Sequence, residues 1–181
     1  MSEKPNKEQL FKAVGAQLQH PKGEMGRSVA GKMNLTNQAM TRAAYEMLSA
    51  KPGETLLEIG FGNGQLMPEL LDQITQDGQL FGADISADMI SEAAEFLGRA
   101  GYASNFELYQ TNSTSLPIAN DDLDGVVAIN VVYFWQDAVD HLREIRRVLK
   151  AKGRLVIAVR GLAYMQAMPF GKDGFVLRED Q

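Results

Sequence analysis

The segment LLEIGFGNG, residues 56–64, limits the folds open to this chain more than any other feature. A run of apolar residues reaches the acidic Glu58 and continues into Gly60, Gly62 and Gly64. Glycine permits positive φ, and the missing Cβ lets a ligand approach the main chain. An apolar strand that ends in such a loop is typical of an open parallel sheet, in which ligands bind at the carboxyl ends of the strands.

After residue 50, strand-like apolar runs alternate with amphipathic, helix-like segments. The pattern predicts strands at 55–59, 78–86, 105–110, 123–130 and 153–159, and helices at 65–74, 87–100 and 136–150. Ser86 is a good N-cap for the second of these helices, and Gly101 stands where a C-cap glycine would. Such alternation predicts an α/β fold, a doubly wound, Rossmann-like, mostly parallel sheet with flanking helices.

The first 50 residues have a different pattern, and we expect residues 1–50 to form a helical cap or lid segment. Residues 8–19 have apolar positions at helical spacing, and a second helix is predicted from about residue 34. The intervening stretch reads as a loop because it contains Pro21 and several glycines. Residues 51–181 form the ligand-binding part, and both parts belong to one structural domain.

Composition excludes several classes of function. A chain of 181 residues with 45% hydrophobic content suits one well-cored domain, and its net charge of −5 gives no general attraction to nucleic acid or anionic membrane. Without cysteine, and with only His20 and His141 as histidines, no metal site is expected. The polar N-terminus and the absence of a long apolar run predict a cytoplasmic protein without membrane insertion.

Glycine spacing discriminates between classes of ligand. A dinucleotide fingerprint needs a third glycine at position 65 or 67, and the chain has Gln65 and Met67. A phosphate-binding P-loop needs Gly-Lys followed by Ser or Thr, and Gly64 is followed by Gln65. The pattern present is E-x-G-x-G-x-G, whose acidic residue suits a cationic amine better than a phosphate.

Five segments in order resemble the motifs of class I S-adenosylmethionine-dependent methyltransferases, in particular the methyltransferase type 11-like domain. They are LLEIGFGNG, GADIS, NSTSLP, LDGVVAINVVYFWQD and LREIRRVLKAKGRLVI. The resemblance covers the chain from about residue 48 to residue 159. It implies S-adenosyl-L-methionine as cofactor and S-adenosyl-L-homocysteine as product.

The resemblance also implies a set of cofactor-binding residues. They are Glu58, Gly60, Phe61, Gly62, Gly64, Asp84, Ile85, Met89, Asn112, Ser113 and Asn130. The glycine loop and Glu58 would face the methionine portion, Asp84 the ribose hydroxyls, and Ile85 with Met89 an adenine face. Asn112 stands where the family usually has Asp, although its carbonyl can still accept from the adenine amino group.

Acceptor contacts and catalytic groups are less constrained by the motifs. Tyr133 and Trp135 follow the fourth strand and could form an aromatic wall, and Arg27 and Met33 could cover the acceptor from the N-terminal segment. No catalytic residue is assigned, because the sulfonium already activates the methyl group. His141 lies inside a predicted helix and is expected at the surface, whereas Leu142, Ile145 and Leu149 of that helix are expected to face the sheet.

The sequence therefore predicts a methyltransferase that acts on a small-molecule or lipid-like acceptor by in-line displacement. One alternative is a non-catalytic module that binds the cofactor or its demethylated product. A second is an NAD-dependent oxidoreductase, which the glycine spacing disfavours.

The family fold usually continues with a helix and an antiparallel strand pair, which are expected to be lacking here. Either the sheet is shorter or the chain is a truncated form of a longer protein. A truncated sheet would leave the edge of the fifth strand and an apolar helix face uncovered, which predicts either self-association into a homo-oligomer or marginal stability.

Overall fold

The computed structural model describes residues 6–102, 104–169 and 175–176. Its helices are α1 (Lys7–Gln19), α2 (Gly23–Leu48), α3 (Met67–Ile74), α4 (Ala87–Arg99), α5 (Ala138–Val148) and α6 (Leu162–Ala167), with one 3-10 turn at Val132–Phe134. Its strands are β1 (Thr55–Ile59), β2 (Gln79–Asp84), β3 (Phe106–Gln110), β4 (Leu123–Ile129) and β5 (Leu149–Ala158). In the described part of the chain, no helix is long and apolar enough to cross a membrane.

The five strands form one parallel sheet in the order β3-β2-β1-β4-β5. The chain builds the sheet outward from β1 through β3, and then returns to the other side of β1 with β4. This reversal places a crevice between the carboxyl ends of β1 and β4, where open α/β sheets bind ligands. The predicted doubly wound architecture is confirmed.

Side chains of the central strands alternate between two cores. Leu56 packs in a cluster with Tyr45 and Leu48 of α2 and with residues of α3 and α4, whereas Leu57 packs on the opposite face. That second cluster includes Ile145 of α5. Successive side chains of a strand point to opposite faces, so β1 is buried on both sides, as expected for a parallel sheet covered by helices.

The predicted loop at 20–34 is wrong, because the residues from Gly23 onward belong to α2. Two of the glycines that indicated a loop, Gly26 and Gly31, have helical backbone. A Cβ on Gly26 would lie 2.8 Å from the carbonyl carbon of Pro21. The glycine is therefore needed for the close approach of α2 to the chain that leaves α1.

The predicted surface position of His141 is also wrong. α5 buries His141, Ile145 and Val148, while Leu142 is 40% exposed. The buried stripe is thus rotated by about one residue from the stripe expected from the leucines. His141 can be buried because its ring nitrogen has a polar partner, Ser113, at 2.8 Å.

Candidate functional site

A central cavity of about 670 Å³ opens at the carboxyl ends of the strands. The loops after all five strands contribute to its wall, and α1, α2 and α6 cover it. This volume lies within the usual range for small-molecule and cofactor sites. The cavity therefore occupies the place where the fold is expected to bind a ligand.

The glycine loop after β1 uses its three glycines in different ways. Gly60, Gly62 and Gly64 all have positive φ, at +74°, +60° and +71°. A Cβ on Gly62 would meet nothing within 4 Å, so the main chain there is open to the cavity. A Cβ on Gly64 would lie 2.7 Å from that of Ala93 in α4. Gly64 thus serves helix packing, and it is not among the residues that line the cavity.

Glu58 places a buried carboxyl group at the cavity wall, and a residue of α2 supports it. The side chain is 5% exposed, and Tyr45 Oη donates a hydrogen bond to its Oε2 at 2.8 Å. Burial raises the pKa of Glu58 to about 7, the Tyr45 hydrogen bond opposes this rise, and the charge of Asp84 adds to it. Among the described residues no basic side chain pairs with Glu58, so the site suits a cationic ligand group.

Asp84 ends β2, and its carboxylate is fixed by main-chain donors. The backbone N–H of Gly62 donates to Oδ2 at 3.1 Å, and that of Ser86 donates to Oδ1 at 2.8 Å. Burial raises the pKa of Asp84, and these two hydrogen bonds oppose the rise. Each carboxylate oxygen keeps a second acceptor position, so Asp84 can still accept from two ligand hydroxyls.

Several further predicted residues lie at the same cavity. Phe61, Ile85 and Met89 contribute apolar surface around the loops after β1 and β2. Asn130 follows β4 with φ of +56°, and its side-chain oxygen lies 3.4 Å from Tyr133 Oη. The structure thus brings the residues predicted from four separate segments to one site.

Asn112 and Ser113 also line the cavity, but their polar atoms already have partners. Thr114 donates to Asn112 Oδ1 from its backbone N at 3.2 Å and from its Oγ1 at 2.7 Å. Ser113 has φ of +63°, and its Oγ lies 2.8 Å from His141 Nδ1. Their role in reading an adenine edge stays a prediction.

Not all of the residues predicted to contact the acceptor lie at the cavity. Met33, Tyr133 and Trp135 line the cavity, and Trp135 stacks on His141 with ring centroids 4.6 Å apart. Arg27 lies outside the residues that line this cavity, and its guanidinium is 3.9 Å from the carboxylate of Glu92 on α4. An acceptor contact from Arg27 would need a different arrangement of the N-terminal helices.

Tyr45 and Arg160 are among the residues at the cavity for which the sequence predicted no role in the site. Tyr45 lies on the apolar face of α2, where it reads as an ordinary core residue, so its pairing with Glu58 has no local signal. Arg160 follows the carboxyl end of β5 and lines the cavity. Its position was a usable signal, since ligands of this fold class bind at strand carboxyl ends.

Comparison with known proteins agrees with this fold. Residues 57–157, which are more than half of the chain, match the family described as "Methyltransferase domain". The chain belongs to this family. It is 31% identical over 137 residues to a demethylmenaquinone methyltransferase of Desulfitobacterium hafniense, covering 71% of this chain and 54% of that protein. It is 28% identical to the methyltransferase YdaC of Bacillus subtilis, covering 71% of this chain and 68% of that protein.

Solved structures show the same fold at low sequence identity. A SAM-dependent methyltransferase from Aquifex aeolicus superimposes with a TM-score of 0.60 at 22% identity, covering 64% of this chain and 61% of that one. A geranyl diphosphate C-methyltransferase from Streptomyces coelicolor superimposes with a TM-score of 0.63 at 17% identity, covering 78% of this chain and 52% of that one. The class I methyltransferase family and fold expected from the sequence are confirmed. The chain spans about half the length of most of the curated relatives it matches.

Proposed function

We propose that this chain is an S-adenosylmethionine-dependent methyltransferase domain that transfers a methyl group to a small-molecule or lipid-like acceptor. The observation that carries the proposal is the placement of two buried carboxyl groups, Glu58 and Asp84, beside the open main chain of Gly62. A cationic amine and a pair of ribose hydroxyls are the groups that such an arrangement can hold.

The residues present fit S-adenosylmethionine. Glu58 would hold the amino group of the methionine portion, because its buried carboxyl has no cationic partner in the described part of the chain. Asp84 would accept from the ribose hydroxyls with the positions that its main-chain donors leave free. Ile85 and Met89 would pack on the adenine, and Asn130 would lie near the methionine portion.

When bound, S-adenosylmethionine supplies a methyl group already activated on a sulfonium. The chain's own residues would hold an acceptor in line and exclude water. Met33, Tyr133 and Trp135 give the acceptor region largely apolar walls.

Residues 1–50 would act as the cap over this region. Ser86 Oγ donates to the carbonyl of Pro21 at 2.6 Å, and Asp88 accepts from the N–H of Gly23 at 2.6 Å. These bonds fasten the N-terminal segment beside the ribose-binding Asp84.

Two observations support a small acceptor. The names of two similar proteins refer to demethylmenaquinone and geranyl diphosphate, both small molecules. The net charge of −5 also disfavours a nucleic-acid acceptor. A cytoplasmic location belongs to the same proposal.

The test is isothermal titration of the chain with S-adenosylmethionine, S-adenosylhomocysteine and NAD. We expect micromolar binding of the first two ligands and a loss of at least about tenfold in Asp84→Asn, since hydrogen bonds to a charged group are lost. Asp77→Asn is the matched control, because Asp77 is exposed in the turn before β2. Preference for NAD would overturn the proposal, and binding without transfer of a labelled methyl group to any acceptor would indicate a binding module.

A further inference from the structure

Arg160 is a cation on the wall of the central cavity, and within the described part of the chain it has no carboxylate partner. It is half-buried directly after β5, and its Nη2 donates to the carbonyl of Thr36 at 3.1 Å and to Asn37 Oδ1 at 2.8 Å. The ring of Tyr164 lies 4.6 Å from its Cζ. Among the described residues, no Asp or Glu lies within ion-pair distance of this guanidinium.

The backbone of Arg160 is held in place by the 3-10 turn that follows β4. Tyr133 Oη donates to the carbonyl of Arg160 at 3.1 Å and also accepts from its N–H. Tyr133, Phe134 and Phe175 form an aromatic cluster beside this point, with ring centroids of Phe134 and Phe175 5.0 Å apart. The guanidinium is therefore anchored next to aromatic surface that lines the same cavity.

Charge is distributed unevenly across the cavity. Glu58 and Asp84 lie at the ends of β1 and β2, whereas Arg160 follows β5 on the other flank of the sheet. Three strand spacings separate β2 from β5, which is roughly 14 Å at about 4.8 Å per strand. The end proposed for the cationic cofactor therefore has two buried carboxyl groups, and Arg160 lies at the opposite flank. Asp137 and Asp140 also line the cavity, but Asp137 caps α5 and Asp140 pairs with Arg143.

A cation that faces an apolar cavity costs free energy unless a ligand or a carboxylate pairs with it. In Arg160 the Nε and Nη1 donors have no acceptor among the described residues, because both side-chain hydrogen bonds come from Nη2. Because Nη2 is already occupied, no two-nitrogen fork stays free, but Nε and Nη1 can each donate a single charge-assisted hydrogen bond to a carboxylate or phosphate oxygen.

We propose that Arg160 binds an oxyanion of the methyl acceptor, so that the acceptor is an organic acid with an apolar body and a carboxylate or phosphate group. The apolar body packs on Tyr133, Phe134 and Tyr164, and the oxyanion pairs with the guanidinium. This assignment rests on the proposed function, since it takes the acidic end of the cavity as the cofactor's.

The test compares probes of one shape and different charge. We would titrate 2-naphthoate, 2-naphthyl phosphate and neutral 2-naphthamide into the chain, with and without saturating S-adenosylhomocysteine. We expect at least one anionic probe to bind about tenfold or more tightly than naphthamide, as one charge-assisted hydrogen bond allows. The tighter of the two anions identifies the oxyanion.

Arg160→Gln should remove this preference, leave naphthamide binding within about twofold, and leave S-adenosylhomocysteine affinity unchanged. Arg160→Lys keeps the positive charge with different donor geometry and should retain part of the preference. Arg42→Gln is the matched control, because Arg42 pairs with Glu69 on the outer surface of α2. The unfolding temperature of each variant confirms that it is folded.

Three results would overturn the proposal. The first is anionic probes that bind no better than naphthamide, or not at all. The second is an unchanged preference in Arg160→Gln. The third is a tenfold loss of S-adenosylhomocysteine affinity in Arg160→Gln, which would assign Arg160 to the cofactor carboxylate. Failure of the chain to bind S-adenosylhomocysteine would instead contradict the proposed function, and the titrations without it would still test Arg160.

Discussion

At the scale of single residues, the buried carboxyl of Glu58 couples ligand binding to pH. Burial raises its pKa to about 7, so the folded protein keeps this group protonated at pH values where an exposed glutamate is ionised. A bound ammonium group favours the ionised form. Binding of the proposed cofactor must therefore release a proton below pH 7, and the affinity should rise as the pH is raised.

We expect the dissociation constant of S-adenosylmethionine to fall about tenfold per pH unit between roughly pH 5.5 and 7, and to level off above it. Isothermal titration up to about pH 7.5 measures this, before the cofactor's own amino group deprotonates. Glu58→Gln should bind weakly and without this slope. Tyr45→Phe should move the break to higher pH, because it removes the hydrogen bond that lowers the pKa of Glu58. A wild-type affinity that is independent of pH would contradict the assignment.

The sequence predicts the acidic residues of this site well, because Glu58 and Asp84 end apolar strands next to glycine or cap signals. Residues that act through distant partners carry no such signal. Tyr45 meets Glu58 across 13 positions, and Ser113 meets His141 across 28 positions. Only the packing of α2 and α5 on the sheet brings these pairs together.

At the scale of elements, α2 shows how tertiary packing overrides a local pattern. Glycines weaken a helix and favour loops, so the residues around Gly26 and Gly31 indicate a loop when read alone. In the structure, Gly26 packs against Pro21, and the helix extends from Gly23 to Leu48. Glycine can therefore be required in a helix by a close contact, and a single sequence does not distinguish that from a loop.

Gly26 and Gly31, both inside α2, should respond oppositely to alanine. A Cβ on Gly31 would meet nothing within 4 Å, and its backbone is helical, so Gly31→Ala should raise the free energy of unfolding by about 0.5–1 kcal/mol. A Cβ on Gly26 would lie 2.8 Å from the backbone of Pro21, so Gly26→Ala should lower it. Urea unfolding followed by circular dichroism measures both variants, each serving as the other's control. Shifts of the same sign would contradict the packing role of Gly26.

At the scale of the whole molecule, the order of strands decides where the site lies. The alternation of strand and helix predicts the parallel sheet, and the glycine loop predicts which strand ends face the ligand. The helical phase of α5 was not predictable to one residue, since Leu142 and His141 exchange their expected places. The alternation that predicts the sheet is spread over many residues, so single exceptions do not obscure it. Which side of a short helix faces the sheet can depend on one buried polar contact.

The outer strand β5 makes self-association the last expectation for this chain. It is at the edge of the sheet in the described residues. Leu155 and Ile157 on one of its faces are each 38% exposed, and Val159, directly after the strand, is 46% exposed. An unpaired edge with apolar side chains favours pairing with a second copy. We expect sedimentation velocity to show an average mass that rises with concentration.

Ile157→Lys should shift the chain towards monomer, because a charge on an edge strand opposes pairing. Met47→Lys, at an exposed apolar position of α2, is the control and should leave association unchanged. A wild-type chain that sediments as a monomer at every concentration would show that this face is stable in water without a partner.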